Sequence, residues 1–233
     1  MFSIKSLKRK RELSFLNKMN FTVEQINALR FDVSKTLSEK RFNHTIGVEK
    51  MAVFIGEKIM PDKVDKLHVA ALLHDISKEY SEAECFEVVK KHKIKLTDED
   101  LAAPALWHSL TAAAVICDDF PSFSDSDVLS AVYNHTVGSP DMSIFDEIIL
   151  LSDYIEEGRK YLCCIDVRER FVSDLLSSKT TEECVYSLHK ATLKALENTI
   201  VEITSKGGVL HTRTVATKSA VLKEIERFEN GNN

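Results

Sequence analysis

Along most of the chain, apolar residues return every three or four positions. Ile26, Leu29, Val33 and Leu37 do so in one segment, and Ile46, Met51, Phe54 and Ile55 in the next. This is the period of an amphipathic α-helix laying one face on a core. Helix starts are marked where a hydroxyl residue is followed three positions later by an acid or amide, because the two side chains satisfy each other's unpaired backbone N–H groups. Thr22 with Gln25, Ser81 with Glu84 and Thr180 with Glu183 fit that pattern. Further helices are predicted near residues 62–76, 81–92, 104–118, 125–136, 143–157, 159–177, 180–205 and 214–229. Breakers fall at Met60-Pro61-Asp62, Phe120-Pro121-Ser122, Gly138-Ser139-Pro140 and Gly207-Gly208. Strand signals are nearly absent, so the expected fold is all-α. Residues 1–21 read as a short basic N-terminal extension, and 22–233 as one helical bundle that includes the C-terminal helices.

Composition narrows this picture. The 233 residues contain 7 Gly and 4 Pro, too few for a many-turned sheet protein. At this length a single core can bury roughly 70% of the unfolded surface without staples. The five cysteines, Cys85, Cys117, Cys163, Cys164 and Cys184, form no C-x-x-C pair and leave an odd count. They read as small core fillers of a reduced, cytoplasmic protein. No run of roughly 18 apolar residues offers a membrane span, and the stretch from Met1 to Lys5 lacks the apolar segment of a secretory signal. Neither a membrane partner nor export is expected. The net charge of -5 argues against a surface built for nucleic acid. The local basic run Lys5, Lys8, Arg9, Lys10 and Arg11 reads as a solvated tail.

Candidate chemistry is concentrated in six residues: His44, the adjacent His74-Asp75, His108, His135 and Asp153. Imidazoles and carboxylates on several helices of a bundle are how a protein holds hard metal ions without sulfur. His74 and Asp75 follow Leu72 and Leu73, so the carboxylate is expected behind an apolar wall, where it needs a compensating cation. Asp153 stands in the apolar run from Ile148 to Ile155 and raises the same demand. His44 is expected to begin a helix after Arg41-Phe42-Asn43. His108 precedes the small residues Ala112, Ala113 and Ala114, and His135 closes a helix ahead of the Gly138 break. His68, His92, His189 and His211 lack such settings and are not read as ligands.

The order H…HD…H…H…D on helices resembles the HD-domain superfamily of metal-dependent phosphohydrolases. The phrases Arg41-Phe42-Asn43-His44-Thr45, Ala71-Leu72-Leu73-His74-Asp75-Ile76-Ser77-Lys78, Asn134-His135-Thr136-Val137-Gly138 and Ser152-Asp153-Tyr154-Ile155-Glu156-Glu157-Gly158-Arg159 are similar to its YqeK-type branch. That resemblance runs from about residue 24 to about 220 and implies an HD-domain bundle with a dinuclear metal site in its core. It also implies symmetrical cleavage of diadenosine tetraphosphate to two ADP. The implied ligands are His44, His74, Asp75, His108, His135 and Asp153, with Asp75 bridging two ions, iron first. Nitrogen and oxygen donors without cysteine also suit manganese, cobalt or nickel. The chain departs from the branch at Glu157, where Pro is usual, and at Ser109-Leu110, where Gly-Pro is usual. Both departures are expected at the pocket's rim. Leu210-His211-Thr212-Arg213-Thr214 also looks like the branch's C-terminal region, with no role assigned.

A dinuclear centre activates water and neutralises phosphoryl oxygens, so no protein nucleophile is required. Asp75, Lys78 and Arg159 are the expected catalytic residues. Lys78 and Arg159, with Arg41 and Thr136, are expected to contact the polyphosphate of a nucleotide substrate. Two other functions stay open. One is an HD-domain phosphohydrolase acting on a nucleoside monophosphate, a deoxynucleotide or a cyclic dinucleotide. The other is a non-catalytic helical signalling module, which would bind no metal. The oligomeric state is open as well, a homodimer included.

Overall fold

The computed structural model describes residues 21–231, and the basic run between Lys5 and Arg11 lies outside them. The described residues contain eleven α-helices, three short 3-10 turns and no strand. In chain order the helices are α1 (Val23–Thr36), α2 (Glu39–Ile59), α3 (Val64–Leu73), α4 (Glu82–His92), α5 (Asp98–Ala102) and α6 (Trp107–Asp119). They continue as α7 (Ser126–Asn134), α8 (Ile144–Ile155), α9 (Leu162–Ser177), α10 (Thr181–Ser205) and α11 (Thr212–Gly231). None is long and apolar enough to cross a membrane.

The expected starts are present. Thr22, Ser81 and Thr180 each close a reciprocal capping box with Gln25, Glu84 and Glu183. Two further boxes, Thr97 with Asp100 and Ser143 with Asp146, use the shorter aspartate in place of glutamate. The first of them opens α5, which the sequence reading passed over because five residues are too few to display a helical period. A second difference concerns His44. Ser38 caps α2, so His44 lies in its second turn rather than at its start.

Helix α3 is the centre of the packing. From Leu67 onward its apolar residues Leu67, Val69, Ala70, Ala71, Leu72 and Leu73 are fully buried, as expected of a helix with neighbours on every side. Those neighbours are α1, α2, α7 and α8. α2 packs against α8 as well, α6 bridges α4 and α7, and α9, α10 and α11 add a layer through α10, which leans on α8. Phe21, assigned above to the extension, is buried, and its N–H donates to Asp65 Oδ2 at 2.9 Å.

The cysteine expectation holds for Cys85, Cys164 and Cys184, which are buried, and fails for Cys117 and Cys163, which are exposed on the outer faces of α6 and α9. Period explains the failure, since each of the two stands one step around the helix from a buried neighbour, Ile116 before Cys117 and Cys164 after Cys163.

Candidate metal centre

Helix ends create the site. His74 closes α3, His135 closes α7, and His108 stands in the first turn of α6. Each of these rings points Nδ1 at the carbonyl three residues earlier: His74 at Ala71 (2.7 Å), His108 at Ala105 (2.9 Å) and His135 at Val132 (2.6 Å). A carbonyl only accepts, so Nδ1 carries the proton, and in a neutral imidazole Nε2 is left as a bare lone pair. His44 follows the same logic with a different partner, its Nδ1 lying 3.1 Å from Glu156 Oε1.

The Nε2 atoms converge. Two compact groups result: His44, His74 and Asp153 in one, Asp75, His108 and His135 in the other, with donor atoms within 4.8 Å of one another in each. Asp75 spans both. Its Oδ2 lies 3.6 Å from His74 Nε2 and 3.8 Å from His44 Nε2, while its Oδ1 lies 3.4 Å from His108 Nε2 and 3.6 Å from His135 Nε2. Asp153, on α8, reaches His44 Nε2 with Oδ1 at 3.0 Å. Its side chain is 22% exposed, so it sits at the opening of the site rather than sealed within the apolar run.

A cation fits this arrangement on two counts. His44 Nε2 and His74 Nε2 are buried and make no hydrogen bond, although carboxylate oxygens crowd them. His108 Nε2 and His135 Nε2 face each other at 3.2 Å, an unfavourable meeting of lone pairs unless a positive charge lies between them. Thr136 relieves part of this repulsion, its hydroxyl lying 3.1 Å from His135 Nε2 and 3.3 Å from His108 Nε2.

Electrostatics keep His74, His108, Asp75 and Asp153 in ligand form. Burial pushes His74 down to about 4 and His108 down to about 3, so both are neutral at pH 7. Burial alone would raise Asp75, but the imidazoles of His74, His135 and His108 hold it well below the usual carboxylate range. Asp153 is held low by His44 and Arg159 against its own burial. Burial lowers His44, and the carboxylates of Asp153 and Glu156 more than reverse this, raising it to about 9. A charge balance that favours a proton on His44 would equally favour a metal ion there.

The four residues expected at the substrate divide between the two groups. Arg41 Nη1 donates to Asp75 Oδ2 at 2.8 Å, and Arg159 Nη2 donates to Asp153 Oδ1 at 2.6 Å. Lys78 Nζ and Thr136 stand on the other side, with Nζ 3.2 Å from both ring nitrogens of His108. Beside the first group opens a cavity of about 1120 Å³, lined by Arg41, His44 and Arg159 but by neither Lys78 nor Thr136. Of the two departures expected at the rim, Glu157 does line this cavity. Ser109 and Leu110 do not. Both are buried in α6, because its first turn faces the core on all sides.

Sequence reasoning missed Glu156. Its carboxylate is buried, orients His44, and fills the space left by two glycines. A Cβ on Gly47, midway along α2, would collide with Glu156 Oε2, and one on Gly158 would press on both carboxylate oxygens. The available signal was a second acid one helical turn beyond Asp153, with Gly158 two residues further on.

The comparisons agree with this geometry. The family model for the HD domain matches residues 41–158. A symmetrical bis(5'-nucleosyl)-tetraphosphatase from Halalkalibacterium halodurans is 32% identical over 94 residues, 40% of this chain and 43% of the relative. The match therefore spans less than half the length of that curated relative. A crystal structure from Clostridium acetobutylicum, described as a predicted HD superfamily hydrolase involved in NAD metabolism, superposes with a TM-score of 0.72. The two are 28% identical, and the match covers 87% of this chain and 98% of the other.

Proposed function

The chain belongs to the HD-domain family, and from that premise we propose that it cleaves diadenosine tetraphosphate symmetrically to two ADP, using two iron ions. His44, His74 and Asp153 would hold one ion and His108 and His135 the other, with Asp75 available to both. The observation that carries the reading is Asp75, which turns one carboxylate oxygen toward each set of imidazoles. The relative named for this activity lends the substrate.

When bound, the two ions supply Lewis acidity and an activated water at neutral pH. The chain supplies the rest. Arg41 and Arg159 flank one side of the centre, and Lys78 and Thr136 the other. A polyphosphate laid across Asp75 would meet donors at both ends, and the bond between its inner phosphates would then lie over the centre. Burial strips water from the Lys78 ammonium and lowers its pKa, so a phosphate laid beside it would supply the compensating charge.

One nucleoside arm has a seat. Lys40, Asn43, Gly47, Lys50 and Phe54 recur every three or four residues and form one stripe of α2 along the cavity floor. Arg41 and Arg159 stand near His44, and Lys50, Met51 and Phe54 lie further along α2, an order that would suit phosphate followed by base.

The test is chromatography of the products from diadenosine tetraphosphate, paired with elemental analysis of the purified protein. ADP alone, with two metal equivalents, is the expected result, and ATP with AMP would overturn it. A second reading keeps the centre and changes the nucleotide. The solved relative described as a hydrolase of NAD metabolism favours it, and absence of turnover on the tetraphosphate with turnover of another nucleotide would select it.

A further inference from the structure

The segment from Leu210 to Thr214 takes no part in the centre, yet it is tied down with unusual density. His211 is buried, with Nδ1 3.2 Å from Glu99 Oε2 and Nε2 3.2 Å from Asp100 Oδ1. Thr212 donates to Glu99 Oε2 from both its N–H (3.1 Å) and its hydroxyl (2.8 Å). These bonds fix the start of α11 to α5. Trp107 continues the line, since its Nε1 donates to the Asp100 carbonyl at 2.7 Å and it immediately precedes His108.

Arg213 reaches the opposite way. Its Nη2 donates to Asn134 Oδ1 at 2.8 Å and to the Gly138 carbonyl at 2.6 Å, and its guanidinium lies over the Tyr133 ring, 4.7 Å from the centroid. Thr214 donates its hydroxyl to the Val137 carbonyl at 3.3 Å, and Thr217, whose hydroxyl donates to the Arg213 carbonyl at 2.7 Å, lies 3.4 Å from the same Val137 oxygen. Gly138 turns with φ +71°, and Thr217 fills the space that a Cβ there would need. Residues 133, 134, 137 and 138 are thus held from α11, and His135 and Thr136 lie between them.

We propose that the first turns of α11 brace one half of the metal centre, with Arg213 the positioning residue for His135. The brace joins the two segments that carry His108 and His135, the two imidazoles grouped with Asp75. The bonds named here reach neither His44, His74 nor Asp153. A planar guanidinium suits the task because one group satisfies a side-chain amide, a backbone carbonyl and a ring face at once, which an ammonium does not. The inference rests on the two-ion reading above.

The test uses the full chain stripped with chelator and titrated with manganese(II) by calorimetry, with helicity followed by circular dichroism. Wild type binds two equivalents. Arg213→Ala is expected to bind one with wild-type affinity and the other about ten- to a hundredfold more weakly, the usual size of an outer-sphere effect. Arg213→Lys is expected to fall between the two. Thr217→Val, which keeps shape and removes one hydroxyl, should weaken the same equivalent less and serves if Arg213→Ala fails to fold. Two equivalents of unchanged affinity in Arg213→Ala, or equal weakening of both, would overturn the brace. A wild-type protein that binds a single equivalent defeats the two-ion reading and the brace with it, whereas two equivalents without tetraphosphate cleavage defeats only the choice of substrate.

Discussion

His74 and His189 are both buried in the same bundle, each beside a carboxylate, and they are wired in opposite ways. His189, on α10, directs Nδ1 at Glu147 on α8, 2.9 Å from Oε2, and burial, which would lower it, is outweighed by that carboxylate, so its pKa rises. His74 gives Nδ1 to a backbone carbonyl and aims an unpartnered Nε2 at a carboxylate 3.6 Å away, and its pKa falls to about 4. The first arrangement is complete in itself, a charged pair that ties two helices together. The second leaves a lone pair unpartnered beside a carboxylate, which a cation would complete. What separates a structural histidine from a ligand is therefore where the ring's second nitrogen is sent, since burial and a nearby acid are common to both.

The sharpest break of this comparison is to remove each ring in turn. His74→Ala is expected to lose the metal and to slow hydrolysis by about a thousandfold or more, a barrier rise of about 4 kcal/mol, with helicity retained. His189→Ala should do the reverse. It keeps both metal equivalents and loses about 3 kcal/mol of stability, because Glu147 is left buried without its partner. Elemental analysis and urea unfolding of the two variants read these outcomes, and an His189→Ala protein that purifies without metal would erase the distinction.

Acidity sharpens it further. In the metal-free protein His74 and His108 titrate near 4 and 3, below the ordinary 6.5, so the unfolded chain takes up their protons first. Their effect is absent above about pH 6.5, and stability falls as pH drops from there toward 4. His189 has the opposite sign, its contribution being full below its unfolded value and lost as pH rises through its raised folded value. Urea midpoints of the chelated protein should fall on the acid side in wild type and in His189→Gln alike, while the alkaline loss, to which His44 also contributes, should shrink in His189→Gln. A flat acid limb in wild type would contradict the assignment of neutral imidazoles.

The smallest effect lies behind His44. Glu156→Gln keeps the shape and removes the charge, so metal affinity is expected to drop about tenfold while the unfolding midpoint barely moves. An unchanged dissociation constant would show that Gly47 and Gly158 make room for Glu156 without consequence for the ring it touches.

How much of this was legible beforehand follows from range. The helix starts at Thr22, Ser81 and Thr180 were readable because a capping box is a local agreement between residues three apart. α5 carries the same signature in Thr97 and Asp100 and escaped notice only because it is too short for periodicity. The six residues of the centre stood out because acids and imidazoles behind apolar walls are costly, and that cost is visible one segment at a time. Glu156 was not legible, since its value depends on a void left by Gly47, more than a hundred residues away.

The sequence by itself determined that the chain is helical, where most helices begin, and which donors it offers to a metal, because each of these follows from neighbours within a turn or two. Only the tertiary structure decided how those donors are shared: that Asp75 faces two groups, that Arg41 and Arg159 attend one and Lys78 and Thr136 the other, and that α11 reaches back to grip the turn around His135. Such pairings depend on helix packing across the core, and side-chain directions across a core are set by contacts between segments far apart in the chain, which no local pattern encodes.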